Sequence, residues 1–205
     1  MRTNPISSLA LFAPFAFAVV SPVAFAQHLS FGVVGGVGLT GDFQTESFPG
    51  PGLTVEIHPN SKSYIVGPML ELSLPFHLSV EADGLYRPLR YTYELVFTIG
   101  SAFNYPAALI TWEFPVLVKY RWPLPIVKPF AEAGPSFRAA GSANVSNPSN
   151  RGITVGGGVE LHLGKLKVAP QLRYTRWAAD SSFTSGSTQA FTNPNQGELL
   201  VGLFF

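Results

Sequence analysis

The sequence has no cysteine, and only 12% of its 205 residues are charged. Without thiols there is neither a disulfide framework nor a thiolate metal site. A soluble domain usually carries about twice this share of charge. Past the N-terminus there is no apolar run of the ~20 residues that a membrane-spanning helix needs. Setting aside Arg2 leaves 12 of the 13 Lys+Arg against 12 Asp+Glu, so the rest of the chain is formally neutral. No basic tract marks it for nucleic acid.

Aromatic and turn-forming residues are plentiful. With 17 Phe, 7 Tyr and 3 Trp the chain is not a disordered one, and 20 Gly and 18 Pro punctuate it. Its 46% apolar residues are spread thinly rather than in blocks, which suits strands with a single apolar face.

Residues 1–26 read as a Sec-type signal peptide. Arg2 supplies the positive start, Leu9 to Val20 the apolar segment, and Ala24-Phe25-Ala26 the small-x-small cleavage site. Residues 27–205 then form one domain. Across it, stretches of about ten alternating residues are separated by breaks. Eight stretches stand out: His28 to Thr40, Tyr64 to Leu74, His77 to Tyr93, Ala107 to Trp122, Val127 to Ala139, Gly152 to Leu163, Leu166 to Ala178 and Gly197 to Phe205. The breaks alternate in length. Pro75-Phe76, Pro123 to Ile126 and Gly164-Lys165 are tight, whereas Gly41 to Ser63, Glu94 to Pro106, Ala140 to Arg151 and Ala179 to Gln196 are long and polar. This order predicts an all-β fold, an eight-stranded antiparallel up-and-down transmembrane β-barrel with both termini at the short-turn end.

The two faces differ in kind. In the fourth stretch Ile110, Trp112, Phe114, Val116, Val118, Tyr120 and Trp122 oppose Thr111, Glu113, Pro115, Leu117, Lys119 and Arg121. A charge facing lipid near mid-membrane costs on the order of 2 to 4 kcal/mol, so the charged face must turn into the lumen. The same phase puts Glu71, Glu81, Asp83, Glu113, Glu132, Glu160 and Glu198 inside, with Arg87, Lys119, Arg121, Lys128, Arg138, Lys167 and Arg173. Seven of each sign can pair across an interior just wide enough for side chains, which leaves a plugged lumen. Trp112, Trp122, Tyr120, Tyr64, Tyr86 and Tyr174 fit aromatic girdles at the lipid interfaces. Pro68, Pro88, Pro115, Pro129, Pro135 and Pro170 fall inside strands, where each removes a ladder donor.

These features resemble the small outer-membrane β-barrel family of the OmpA transmembrane domain and OmpX, over all of residues 27–205. The resemblance extends to the last strand, GELLVGLFF, ending in an aromatic residue. It implies that Leu199, Val201, Leu203 and Phe205 form the signal read by the barrel-assembly machinery. It also implies a bacterial outer-membrane location reached through Sec export, contact with outer-membrane lipid, and a monomer. The long loops, with Phe43, Phe48, Phe103, Tyr105, Phe183 and Phe191, would carry any structural or surface-recognition role toward an unknown extracellular ligand. A narrow pore or passive transporter is the alternative, and a lipid hydrolase a more distant one.

Little points to chemistry. His28, His58, His77 and His162 lie on different elements without metal-ligand spacing, so no metal or other cofactor is expected. His77-Leu78-Ser79, with Glu81 and Asp83 nearby, resembles the His-x-Ser of outer-membrane lipid A deacylases. However, its position at the short-turn end is wrong for outer-leaflet lipid, so no catalytic residue is assigned. The glycine runs 32–38 and 156–158 precede no helix and read as strand glycines rather than phosphate loops.

Overall fold

Strands with one apolar and one polar face need both a hydrocarbon-like exterior and a polar interior, and closing the sheet supplies the two together. In the computed structural model, residues 28–59, 63–140, 150–164, 166–178, 182–185 and 188–205 are described. The expected signal peptide lies outside them. Barrel strands are β1 (Leu29–Gly38), β4 (Tyr64–Ser73), β5 (Leu78–Asp83) continued by β6 (Leu85–Phe97), β7 (Ala102–Arg121), β8 (Val127–Ala140), β9 (Arg151–Leu163), β10 (Leu166–Trp177) and β13 (Asn195–Phe204). Each pairs antiparallel with its neighbours, and β1 closes the ring by pairing with both β4 and β13. The result is a closed eight-stranded antiparallel barrel.

Two hairpins lie in what reads from sequence as loop. β2 (Glu46–Gly50) and β3 (Leu53–Pro59) form one, and β3 adds to the upper part of β6, from Leu53 opposite Phe97 to Pro59 opposite Tyr91. β11 (Ser182–Ser185) and β12 (Thr188–Phe191) form the other. The expected long break at 94–106 shrinks to a turn around Gly100, with φ of 89°, because β6 and β7 stay paired well past the barrel. β2, β3 and the upper halves of β6 and β7 therefore make a sheet that rises from the long-loop end. The third expected strand is also divided at Gly84, whose N–H bonds to Pro68 O at 3.0 Å.

The register fixes the barrel's shape. A ladder row starting at Trp112 passes through Tyr86, Val66, Gly35, Val201 and Pro170 and continues through Val159 and Pro129. It returns to β7 at Trp122, ten residues below its start, where Trp122 N–H bonds to Pro129 O. A shear of ten residues over eight strands tilts the strands by about 40°. Ten residues on such a strand rise about 25 Å, the height of an outer-membrane apolar band, so Trp112 and Trp122 mark its two edges.

Side-chain orientation follows the expected phase. On β7, Ile110, Trp112, Phe114, Val116, Val118 and Tyr120 are exposed, whereas Thr111, Glu113, Leu117 and Lys119 are buried. The strand prolines sit at gaps in the ladders. Pro170 keeps register with Val201 on one side, while the β9–β10 pairing skips from Val168 to Gln171 on the other. Pro135 pairs with Ile153 as the β7–β8 ladder skips Val116 and Leu117. In each case the missing donor is lost toward one neighbour only. Glycine makes room for the filling: a Cβ on Gly156 would stand 2.8 Å from Glu132 Oε1 and 3.0 Å from Arg173 Cγ, whereas one on Gly35 meets only Ile65 O, at 3.8 Å.

Gly156→Val is therefore expected to lower stability by about 1–3 kcal/mol through overpacking, while Gly35→Val leaves it nearly unchanged. The temperature at which the folded band shifts on unheated gels reads the difference.

Candidate functional site: the lumen and the outer sheet

Every member of the expected charge set faces the lumen, and the fold resolves the set into tiers. In the tier nearest the long-loop end, the fully buried Arg87 donates from Nη2 to Asp42 Oδ1 (2.8 Å) and from Nη1 to Glu198 Oε1 (2.5 Å). Arg138 Nη2 donates to Glu113 Oε1 (2.8 Å) and to Gln196 Oε1 (2.6 Å). Its guanidinium lies 3.8 Å from the ring centroid of Trp177, whose Nε1 donates to the same Gln196 oxygen at 2.8 Å.

A band of hydroxyls follows: Thr154 lies 2.5 Å from Ser136 and 2.7 Å from Thr175. Below it Arg173 reaches three carboxylates at once. It donates from Nε to Glu132 (2.6 Å), from Nη1 to Asp83 (2.6 Å) and from Nη2 to Glu81. Lys119 donates to Glu81 and stands 3.5 Å from both Glu71 and Glu132, with its ammonium 4.4 Å from the Phe130 ring centroid. In the last tier Arg121 binds Glu71, Glu160 (2.7 Å) and Ser79 Oγ (3.0 Å). Lys128 and Lys167, both half-buried, flank the short-turn mouth. Lys167 reaches Ser30 Oγ at 3.4 Å.

Three features of this filling are absent from the sequence reading. Asp42 is buried and ligates Arg87, making eight inward carboxylates against seven cations among the described residues. It arrives because the segment after β1 folds back over the mouth, with Asn193 N–H bonding to Asp42 O and Phe43 bridging to Thr192. Trp177 turns inward as the aromatic floor of Arg138. One side of the lumen is apolar rather than ionic, built from Val34, Ile65, Met69, Leu85, Phe130, Ala169, Leu200 and Phe204. The non-polar inner face of the last strand belongs to it. Between the upper tiers lies a void of about 10 Å³, bounded by Leu85, Glu113, Ser136, Thr154 and Arg173 among others. That is room for about one water molecule.

The ends differ. At the short-turn mouth a vestibule of about 720 Å³ is lined by His77, Arg121, Trp122 and Lys128 among others. The turn above it holds Phe76 and His77 at φ of 62° and 63°. Of the His-x-Ser pair, His77 is exposed there, while Ser79 is fully buried with its Oγ accepting from Arg121. At the other end, the raised sheet exposes Ile99, Phe103 and Tyr105 near its tip. On that sheet Glu56 and Glu94 oppose one another across β3 and β6, and His58 Nε2 lies 3.2 and 3.4 Å from their carboxylate oxygens. The other histidines join no such group among the described residues. Outside the barrel, Tyr64, Tyr86 and Trp112 form one aromatic cluster, with centroids 6.1 and 5.5 Å apart. Tyr120 and Trp122, at 5.3 Å, form another at the opposite edge.

A closed barrel whose wall is apolar and aromatic outside and ionic within is a membrane-spanning β-barrel. No protein-family model matches the chain, and no curated protein is similar to it in sequence. Among solved structures it is similar to one described as the solid-state NMR structure of outer membrane protein AlkL in DMPC lipid bilayers. The identity is 12%, the match covers 100% of this chain and 97% of that one, and the TM-score is 0.46.

Removing Arg173 strands three buried carboxylates, so Arg173→Ala is expected to cost about 3–5 kcal/mol. Lys167→Ala, at the half-open mouth, is expected to cost less than about 0.5 kcal/mol. Urea unfolding in lipid vesicles measures both, and equal midpoints would remove the ionic filling as a source of stability.

Proposed function

We propose that the protein is an integral bacterial outer-membrane protein of the small eight-stranded kind that the OmpA transmembrane domain and OmpX exemplify. In this reading the barrel is an anchor that does not conduct, and the raised sheet on the outer surface carries a structural or recognition role. The pairing of the inward charges across the barrel is the observation that carries it. Ionic tiers from Asp42 to Glu160 occupy the interior, the Gly41–Phe43 segment lies over one mouth, and a void between the upper tiers has room for about one water. A bacterial outer membrane is where closed barrels of this width and band height occur. The outward row Leu199, Val201, Leu203 and Phe205 on β13 supports delivery by the barrel-assembly machinery, and Phe205 N–H is already bonded to Phe31 O at 2.9 Å. The exposed Ile99, Phe103 and Tyr105 give the sheet an adhesive tip for a ligand outside the cell.

Two measurements check this. Purified folded protein added to planar bilayers is expected to give no regular current steps, and steady ohmic steps of porin size would assign a pore instead. Unboiled protein from outer-membrane fractions is expected to run at a different gel mobility from boiled protein. Recovery as a compact species in detergent-free periplasmic extract would overturn the membrane placement.

A further inference from the structure

The lumen and the outer wall of this barrel differ in the charges they carry. Eight of the twelve carboxylates face the lumen. On the outer wall of the barrel strands, among the described residues, the exposed charged side chains are Arg90, Arg151 and Arg176. Arg151 and Arg176 stand at one height. A ladder row drops about one and a quarter residues per strand, so Arg151 and Arg176 come level with Trp112 within about one residue's rise, and Arg90 stands about three residues higher. That is the edge of the apolar band on the long-loop side, where lipid headgroups begin. Arginine presents a planar fork of donors suited to phosphate oxygens.

Two of these arginines flank a cavity. Arg151 on β9 and Arg176 on β10 border a recess of about 410 Å³ in the outer wall, which runs down over Ile153, Val155 and Tyr174. Arg176 is held in place from behind, since its Nη1 and the Tyr174 hydroxyl both donate to Asn195 Oδ1, at 2.5 and 2.6 Å. Cations above and an apolar trough below match an amphiphile with an anionic head and hydrocarbon tails. A free anion has no use for the trough, and an uncharged lipid none for the arginines.

We propose that this recess is a binding site for a phosphorylated lipid of the outer leaflet, with Arg151 and Arg176 on the phosphate and Ile153 and Val155 against an acyl chain. The site rests on the membrane-spanning reading and adds to it a ligand class and a place. It is separate from the lumen and from the raised sheet.

Native mass spectrometry of the detergent-solubilised protein, titrated with lipid A, tests it. One molecule is expected to be retained by the wild type, and the Arg151→Gln/Arg176→Gln double variant to retain it at least tenfold more weakly. Arg90→Gln, on the opposite wall, is expected to hold it within twofold of wild type. Fully dephosphorylated lipid A is expected to bind at least tenfold more weakly than lipid A, and inorganic phosphate in excess not to displace the lipid. Equal retention by the double variant overturns the site, as does equal retention of the dephosphorylated lipid. A loss in Arg90→Gln as large as in the double variant reduces the effect to diffuse charge attraction, and displacement by inorganic phosphate makes it a simple anion site. The boiling-dependent gel shift is run on every variant. Its loss in the wild type would speak against the barrel reading itself, whereas an intact shift without retention refutes only the lipid site.

Discussion

Backbone amides and carbonyls within hydrocarbon find no water, so each must be bonded inside the protein. For a sheet this leaves closure as the only solution, and the seam between β1 and β13 is where it is achieved, from Gly32 opposite Phe204 to Gly38 opposite Glu198. Once the ring has eight strands and a shear of ten, its width is set. Side chains from every strand then meet in the interior, and their character becomes the character of the protein.

That interior holds ions at a cost. Each buried charge gives up several kcal/mol of hydration, recovered only where geometry is good and hydrogen bonds are complete. Arg173 illustrates how this is met: all three of its nitrogens face separate carboxylates, on β5 and β8. Lys119, with its single ammonium, is instead surrounded by Glu71, Glu81 and Glu132 and backed by the Phe130 ring. Fork and point charge divide the work according to their shapes. The apolar cluster around Met69 and Phe204 fills the side of the lumen the ion pairs leave, and Gly156 yields the volume that Glu132 and Arg173 take up.

Most of the wall was legible in the sequence because period-two alternation is a direct image of a two-sided sheet. From Ile110 to Trp122 or from Ile153 to Leu163, each residue's face can be read from its parity alone. The fourteen inward charges follow from the same parity. Asp42 was not legible, since it lies in a segment without alternation and reaches the lumen through a chain reversal that only the folded partners Ser63 and Arg87 explain. The β2–β3 hairpin escaped notice for a related reason: Glu46–Gly50 is short, contains Pro49, and gains its strand form from β3, which leans on β6. His58 shows the limit of spacing rules, because its neighbours Glu56 and Glu94 are assembled by the pairing of β3 with β6 rather than by a linear motif. The family resemblance rests on the whole pattern and not on any one strand.

The seam has a kinetic consequence. Residues that close the ring, such as Gly32 and Phe204, lie at opposite ends of the chain, so the final strand must emerge before the first can find its partner. Contacts this remote in sequence make for slow, late-committing folding. Until the first and last strands meet, one edge of β1 and one edge of β13 lack partners, although β4 and β10 already pair with the other edges. An open form of the sheet therefore carries both of its free edges until the β1–β13 seam is made.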